Sequence, residues 1–160
     1  MKRALLLAAL IAVAAAAASV SASHAASTSL PTCPSRAPKF VGTLGTSNPF
    51  VRPRANALRM CRYYKNNWAT GMTLWRQRLI TQSSTITSLT GAFNRLQEPP
   101  RGIFCVKDDG SEMQLIFGYA NGTVERVTVK LSGCRFASNG KAVRSTTAYL
   151  HDRLIKLVMG

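Results

Sequence analysis

The sequence predicts an α+β domain, an antiparallel β-meander packed against one or two helices and stapled by disulfides. Three observations carry this reading. Cys33, Cys61, Cys105 and Cys134 make an even set in a chain of 160 residues, and they follow an apolar leader that places them where thiols oxidise. The second half alternates apolar and polar residues between Asp-Gly and Asn-Gly turns, the mark of hairpins. Two further stretches space their apolar residues as helices do.

The leader has a basic start at Lys2 and Arg3, an apolar run from Ala4 to Ala18 and a small-x-small site at Ser23-His24-Ala25, which together read as a secretory signal cleaved after Ala25. The run is alanine-rich and shorter than the roughly 20 apolar residues of a membrane span. Cys33 lies well beyond it, so no lipobox is formed. The expected organisation is a signal peptide over 1–25, an extended arm over 26–54 and a single α+β domain over 55–160. The mature chain should be secreted and soluble, with no transmembrane segment.

The arm holds Pro31, Pro34, Pro38, Pro49 and Pro53 among many serines and threonines, a composition without helical or strand period. Ala55 to Tyr64 is short and apolar enough for a strand, with Lys65-Asn66-Asn67 as its turn. Met72 to Ile80 answers as a second strand or, on the spacing of Met72, Trp75, Leu79 and Ile86, as the start of one long helix. The polar, partly β-branched run Thr81 to Thr87 favours a cap over a helix interior. A helix from Ser84 to Glu98 is therefore expected, stopped by Pro99-Pro100. Gly102 to Val106 reads as a strand, Asp108-Asp109-Gly110 as a turn, Met113 to Tyr119 as a strand and Asn121-Gly122 as a hairpin. From Val124 to Leu131 the alternation leaves Val127, Val129 and Leu131 on one buried face. After a turn at Asn139-Gly140, Val143 to Val158 reads as an amphipathic helix with Leu150, Leu154, Leu157 and Val158 on its stripe.

Four cysteines allow three connectivities. Cys33 with Cys61 and Cys105 with Cys134 is the preferred set, because of a faint internal echo. The offsets between first and between second cysteines are 72 and 73 residues, and Cys61-Arg62-Tyr63 matches Cys134-Arg135-Phe136. Duplication of a strand, bridge and helix unit would produce this pattern. Each bridge closes a loop worth about 3 to 4 kcal/mol in the chain-entropy account.

Without Lys2 and Arg3 the net charge falls from +15 to +13. Between Ala26 and Arg101 there are 11 basic residues against Glu98 alone, and beyond them 8 against 5. Arg52, Arg54, Arg59, Arg62, Arg76 and Arg78 interleave with Phe50, Tyr63, Tyr64, Trp68 and Trp75, a mixture suited to polyanions through guanidinium forks and stacking. Anionic cell-wall polymers and membrane-surface headgroups are the candidate partners. No dense basic run marks a specific nucleic-acid reader.

Other chemistry is thin. His151 beside Asp152 invites a general-base reading, but neighbours on a helix point about 100° apart, so a surface polar pair is expected. Asp108, Asp109 and Glu112 lack the spacing of a calcium loop and a β-turn accounts for them. No Cys-x-x-Cys pair offers zinc a site, and no metal or cofactor is expected. Asn121-Gly122-Thr123 matches a glycosylation sequon and reads as the hairpin turn.

Cys61-Arg62-Tyr63, Cys105-Val106-Lys107-Asp108-Asp109-Gly110, Leu115-Ile116-Phe117-Gly118-Tyr119, Val127-Thr128-Val129, Gly133-Cys134 and Asn139-Gly140 resemble a pattern in uncharacterised secreted proteins of high-GC actinobacteria. That group has proline after its third cysteine where this chain has Val106. It has no assigned activity, so the resemblance implies compartment and architecture only. The expected function is a secreted, non-enzymatic binding module. The alternatives are a hydrolase inhibitor displaying Arg52-Pro53-Arg54 or Glu98-Pro99-Pro100-Arg101, and a small secreted enzyme.

Overall fold

The computed structural model describes residues 29–45, 47–67, 71–105 and 108–160, with the backbone alone at 65–67. The expected signal peptide, the first residues of the arm, Trp68, Val106 and Lys107 lie outside the described residues. The elements run β1 (Ala57–Asn67), β2 (Gly71–Ile80), α1 (Ser83–Asn94), β3 (Glu112–Gly118), β4 (Val124–Lys130), β5 (Phe136–Ser138), β6 (Val143–Ser145) and α2 (Ala148–Met159). The strands form one antiparallel sheet in the order β2-β1-β3-β4-β5-β6. The chain is therefore an α+β protein, with strand and not helix over Gly71–Ile80.

Side-chain alternation sorts the sheet into two faces. Leu58 and Met60 of β1 pair with Phe117 and Leu115 of β3, which meets Val127 of β4 at Leu115. This apolar face receives Ile86, Leu89 and Phe93 from α1 and Leu150, Leu154 and Val158 from α2. Phe50 and Val51 of the arm close the same core. On the opposite face Cys61, Tyr63 and Ile116 are covered by Leu30 of the arm. Gly118 permits this approach, since a Cβ there would stand 2.5 Å from the Leu30 side chain. Every residue of β3 is consequently buried.

The arm also pairs along the outer edge of β2: the Ala37 amide donates to Met72 O at 3.0 Å and the Leu74 amide to Ser35 O at 2.9 Å. Beyond Leu74 no described residue pairs with that edge.

The disulfides join Cys33 to Cys61, Cα–Cα 5.6 Å, and Cys105 to Cys134, 4.8 Å. Cys61 sits in the middle of β1 and Cys134 in the bend before β5, so the two Cys-Arg-aromatic phrases occupy different positions.

Several boundaries move. α1 stops at Asn94, not Glu98. Pro99 and Pro100 cannot donate to the carbonyls of Arg95 and Leu96, and Gln97 O is taken by the Ser145 amide at 2.9 Å. The Asn94 side chain turns instead to the arm, accepting from Val51 N at 2.8 Å and donating to Val51 O at 2.9 Å. No strand forms over Gly102–Cys105, where Gly102 takes φ +70° and the chain leads into the disulfide. The helix expected from Val143 begins only at Ala148, and Val143–Ser145 is β6. The run Ser145-Thr146-Thr147 satisfies its own backbone instead. Thr146 donates twice to Arg135 O, and Thr147 caps the helix by accepting from Leu150 N at 3.1 Å. β5 went unread because three residues are too few to show a period. Among the described residues no helix is long and apolar enough to cross a membrane.

Candidate functional site

The β1–β2 hairpin outruns the rest of the sheet. β3 pairs with β1 only as far as Tyr63, so Tyr64–Asn67 and the facing part of β2 project past it. At the base of this projection Arg62 faces Arg76 while Tyr63 faces Leu74, leaving Trp75 as the extra residue of a bulge. A bulge bends its strand and re-aims a side chain. Here it swings Trp75 onto the surface against Tyr64, ring centroids 6.1 Å apart. The Arg62 guanidinium stands 4.5 Å and that of Arg76 5.6 Å from the Trp75 centroid. The indole remains 45 % exposed, so part of this cation-flanked ring is open to solvent.

The platform continues onto α2. Arg62 reaches Met159 Sδ at 3.3 Å, and Arg78 donates to Leu157 O at 2.7 Å, where a cation complements the negative end of the helix. Two clefts flank this contact. One of about 460 Å³ is lined by Arg78, Arg153, Lys156 and the exposed Tyr149. The other, about 390 Å³, is lined by Arg62, Lys156 and His151. Asp152 is the one acid lining either of them. Burial, then the neighbouring charge of Arg76, draws Arg62 below its ordinary pKa, an effect that Asp109 partly opposes. Its Nε is buried with no hydrogen-bond partner among the described residues. Two like charges thus crowd one aromatic ring, an arrangement that an anion would relieve.

The six arginines singled out from the sequence do not share one patch. Arg62, Arg76 and Arg78 come together. Arg52 is bound into the structure: its side chain pairs with Glu125, its backbone amide donates to Glu125 Oε2 at 2.8 Å, and its guanidinium lies 4.3 Å from the Tyr119 centroid. Tyr119 donates to Glu125 as well, at 2.8 Å, and burial, then that bond, pushes its hydroxyl well above the usual range. Arg54 stands exposed with φ +66°. Arg59 follows the opposite parity of β1 and lies on the arm face. Of the aromatics, Phe50 and Tyr63 belong to the interior. Burial, then Glu112, pushes the Tyr63 hydroxyl up to about 12.

Sequence reading missed Tyr149, Arg153 and Lys156. Their i, i+4 and i+3 spacing along α2 was a usable sign of a shared face, overlooked because attention went to the apolar stripe.

The remaining candidates resolve as follows. His151 is mostly buried and shows only its edge in the second cleft. Its Nε2 lies 2.8 Å from Leu131 O at the end of β4, and its Nδ1 is 3.4 Å from Asp152, too long for a firm bond. Asp108 and Asp109 accept from the amides of Gly110 and Ser111, each at 2.7 Å. The Ser132 hydroxyl and these bonds hold Asp109 below the usual carboxylate range. Glu112 turns away to Lys130 at 3.0 Å. Among the described residues no three metal-ligating side chains gather. Asn121 accepts from the Thr123 amide and hydroxyl, the local closure of a hairpin turn.

Comparison with known proteins adds no assignment: no protein-family model, curated protein or solved structure matches the chain.

Proposed function

We propose that the protein is a secreted, non-enzymatic binding module for anionic polymers of the cell envelope, held through the Trp75 platform. The observation that carries this reading is the pair Arg62 and Arg76 flanking a half-exposed indole. Sugar rings and bases both stack on such a face, while guanidinium forks take phosphate or carboxylate in bidentate geometry. Arg78, Arg153 and Lys156 extend the positive surface along α2, which suits a chain of repeated charges better than a single small anion. The disulfides and the basic leader are in keeping with an extracellular location.

The test is a titration of a purified phosphate-bearing wall polymer at several salt concentrations. Arg62→Gln with Arg76→Gln should weaken binding about tenfold or more and lower the slope of log K against log salt by about 2. Trp75→Ala should weaken it comparably without changing the slope. Arg54→Gln serves as the control, since it removes an exposed charge outside the platform. Equal binding by all four proteins would sink the reading.

A further inference from the structure

A second surface stands at the far end of the sheet from β2, on the segment that connects α1 to β3. Phe104 is 98 % exposed and Ile103 47 % exposed, the most outstanding apolar side chain of the described residues beside a second one. With Pro100 and Phe136 they border a shallow apolar cleft of about 440 Å³ next to the Cys105–Cys134 bridge. The segment is tethered on both sides, by the Ser145 amide to Gln97 O at 2.9 Å and by the disulfide. Between these anchors, residues 98–104 belong to no helix or strand, and Arg101 and Gly102 form a turn.

We infer that the Ile103–Phe104 tip is a membrane-contact loop that seats in the headgroup region of an anionic lipid bilayer. An aromatic ring that projects almost wholly into water meets no complementary surface of its own chain, and exposing it is costly. A protein partner would have to supply a fitted pocket. A bilayer interface accepts a projecting ring without one. The charges around the tip favour the same occupant: Arg101 and Arg135 flank it and are exposed. The acids on either side are engaged, Glu98 by Arg144 at 3.7 Å and Asp108 by Ser132 and the Gly110 amide. Basic groups beside an apolar tip are drawn to anionic headgroups, each adding to the attraction. This site shares no residue with the polymer platform and stands or falls apart from it.

The experiment is co-sedimentation of the secreted chain with vesicles of equimolar phosphatidylglycerol and phosphatidylcholine, and with phosphatidylcholine alone. Retention is expected on the anionic vesicles. Phe104→Ser should lose it about tenfold or more with an unchanged unfolding midpoint, since the side chain packs against little. Arg62→Gln with Arg76→Gln should retain it, which separates this surface from the platform. Phe104→Trp should gain fluorescence quenching by brominated lipid beyond that of the native Trp68 and Trp75. Absence of wild-type retention, undiminished retention of Phe104→Ser, or no added quenching of Phe104→Trp would each overturn the inference.

Discussion

The two faces of the sheet are built on different physics. The helix face buries a continuous apolar layer in which Phe93 stacks on Phe50 at 6.4 Å and meets Phe117 edge-on at 6.2 Å. The arm face is largely polar. Glu112, Gln114 and Thr128 are buried there beside the smaller cluster of Leu30, Cys61, Tyr63 and Ile116. Among the described residues the Tyr63 hydroxyl and Gln114 Oε1 find no hydrogen-bond partner there. An irregular strand of chain cannot hold such a face by hydrophobic burial alone. The arm is held there by the Cys33–Cys61 disulfide and by two backbone bonds to the edge of β2. A face with little apolar area to offer needs covalent and polar fasteners.

The sharpest way to break this contrast is through the core. Phe93→Ala should destabilise by about 3 to 5 kcal/mol, the range for a buried aromatic, seen in urea unfolding. A loss near that of an exposed position would mean that the helix face is not the main source of stability.

Next come the bridges, whose loops span 28 and 29 residues and so constrain the unfolded chain alike. Replacing either pair by alanine should cost about 3 kcal/mol from loop entropy. Cys33→Ala with Cys61→Ala should cost more, because Cys61 is fully buried, and it should release the amides of Ala37 and Leu74 to hydrogen exchange. Cys105→Ala with Cys134→Ala should leave both amides protected. The same exchange pattern in the two double variants would show that the first bridge does not fasten the arm.

The smallest effects are electrostatic and of opposite sign. Burial outweighs Lys130 and raises the Glu112 carboxyl above its ordinary range, so the folded protein keeps that proton longer than the unfolded chain does. Stability should fall as pH rises from the ordinary glutamate value through the raised one, and Glu112→Gln should flatten that fall. The depressed Asp109 contributes stability above the ordinary aspartate value and loses it as pH drops through its own lowered one. Asp109→Asn should therefore be destabilised at neutral pH and unaffected in strong acid. Urea midpoints followed across the carboxylate range separate the two slopes.

How much of this was legible beforehand depended on the length of the signal. β3 and β4 carry seven-residue alternations closed by Asn121-Gly122, and both were placed to within a residue or two. The preferred cysteine pairing held, although the two phrases of the internal echo behind it occupy different places in the fold. β6 was absorbed into a helix because Val143 and Arg144 fit either period and Thr147, the true cap, was not weighed. For the candidate site the residue types could be read from the sequence and their grouping could not. Arginine and tryptophan stood out in the first half, but the grouping of Arg62 with Arg76 and the exclusion of Arg59 follow from pairing register and a bulge, and that of Arg52 from its pairing with Glu125. A bulge shifts parity by one residue, and nothing in a single sequence marks where that shift falls.

The arm covers the outer edge of β2 only as far as Leu74. From Trp75 to Leu79 no described residue pairs with the outer edge of the strand, the geometry by which one sheet recruits another. Arg76 and Arg78 stand on that edge and, in a second copy, would meet their own kind. The opposite border of the sheet, β6, is only three residues long. Sheet growth is thus blocked by charge at one margin and by shortness at the other. Neutralising the two arginines therefore carries a cost in solubility quite apart from any ligand.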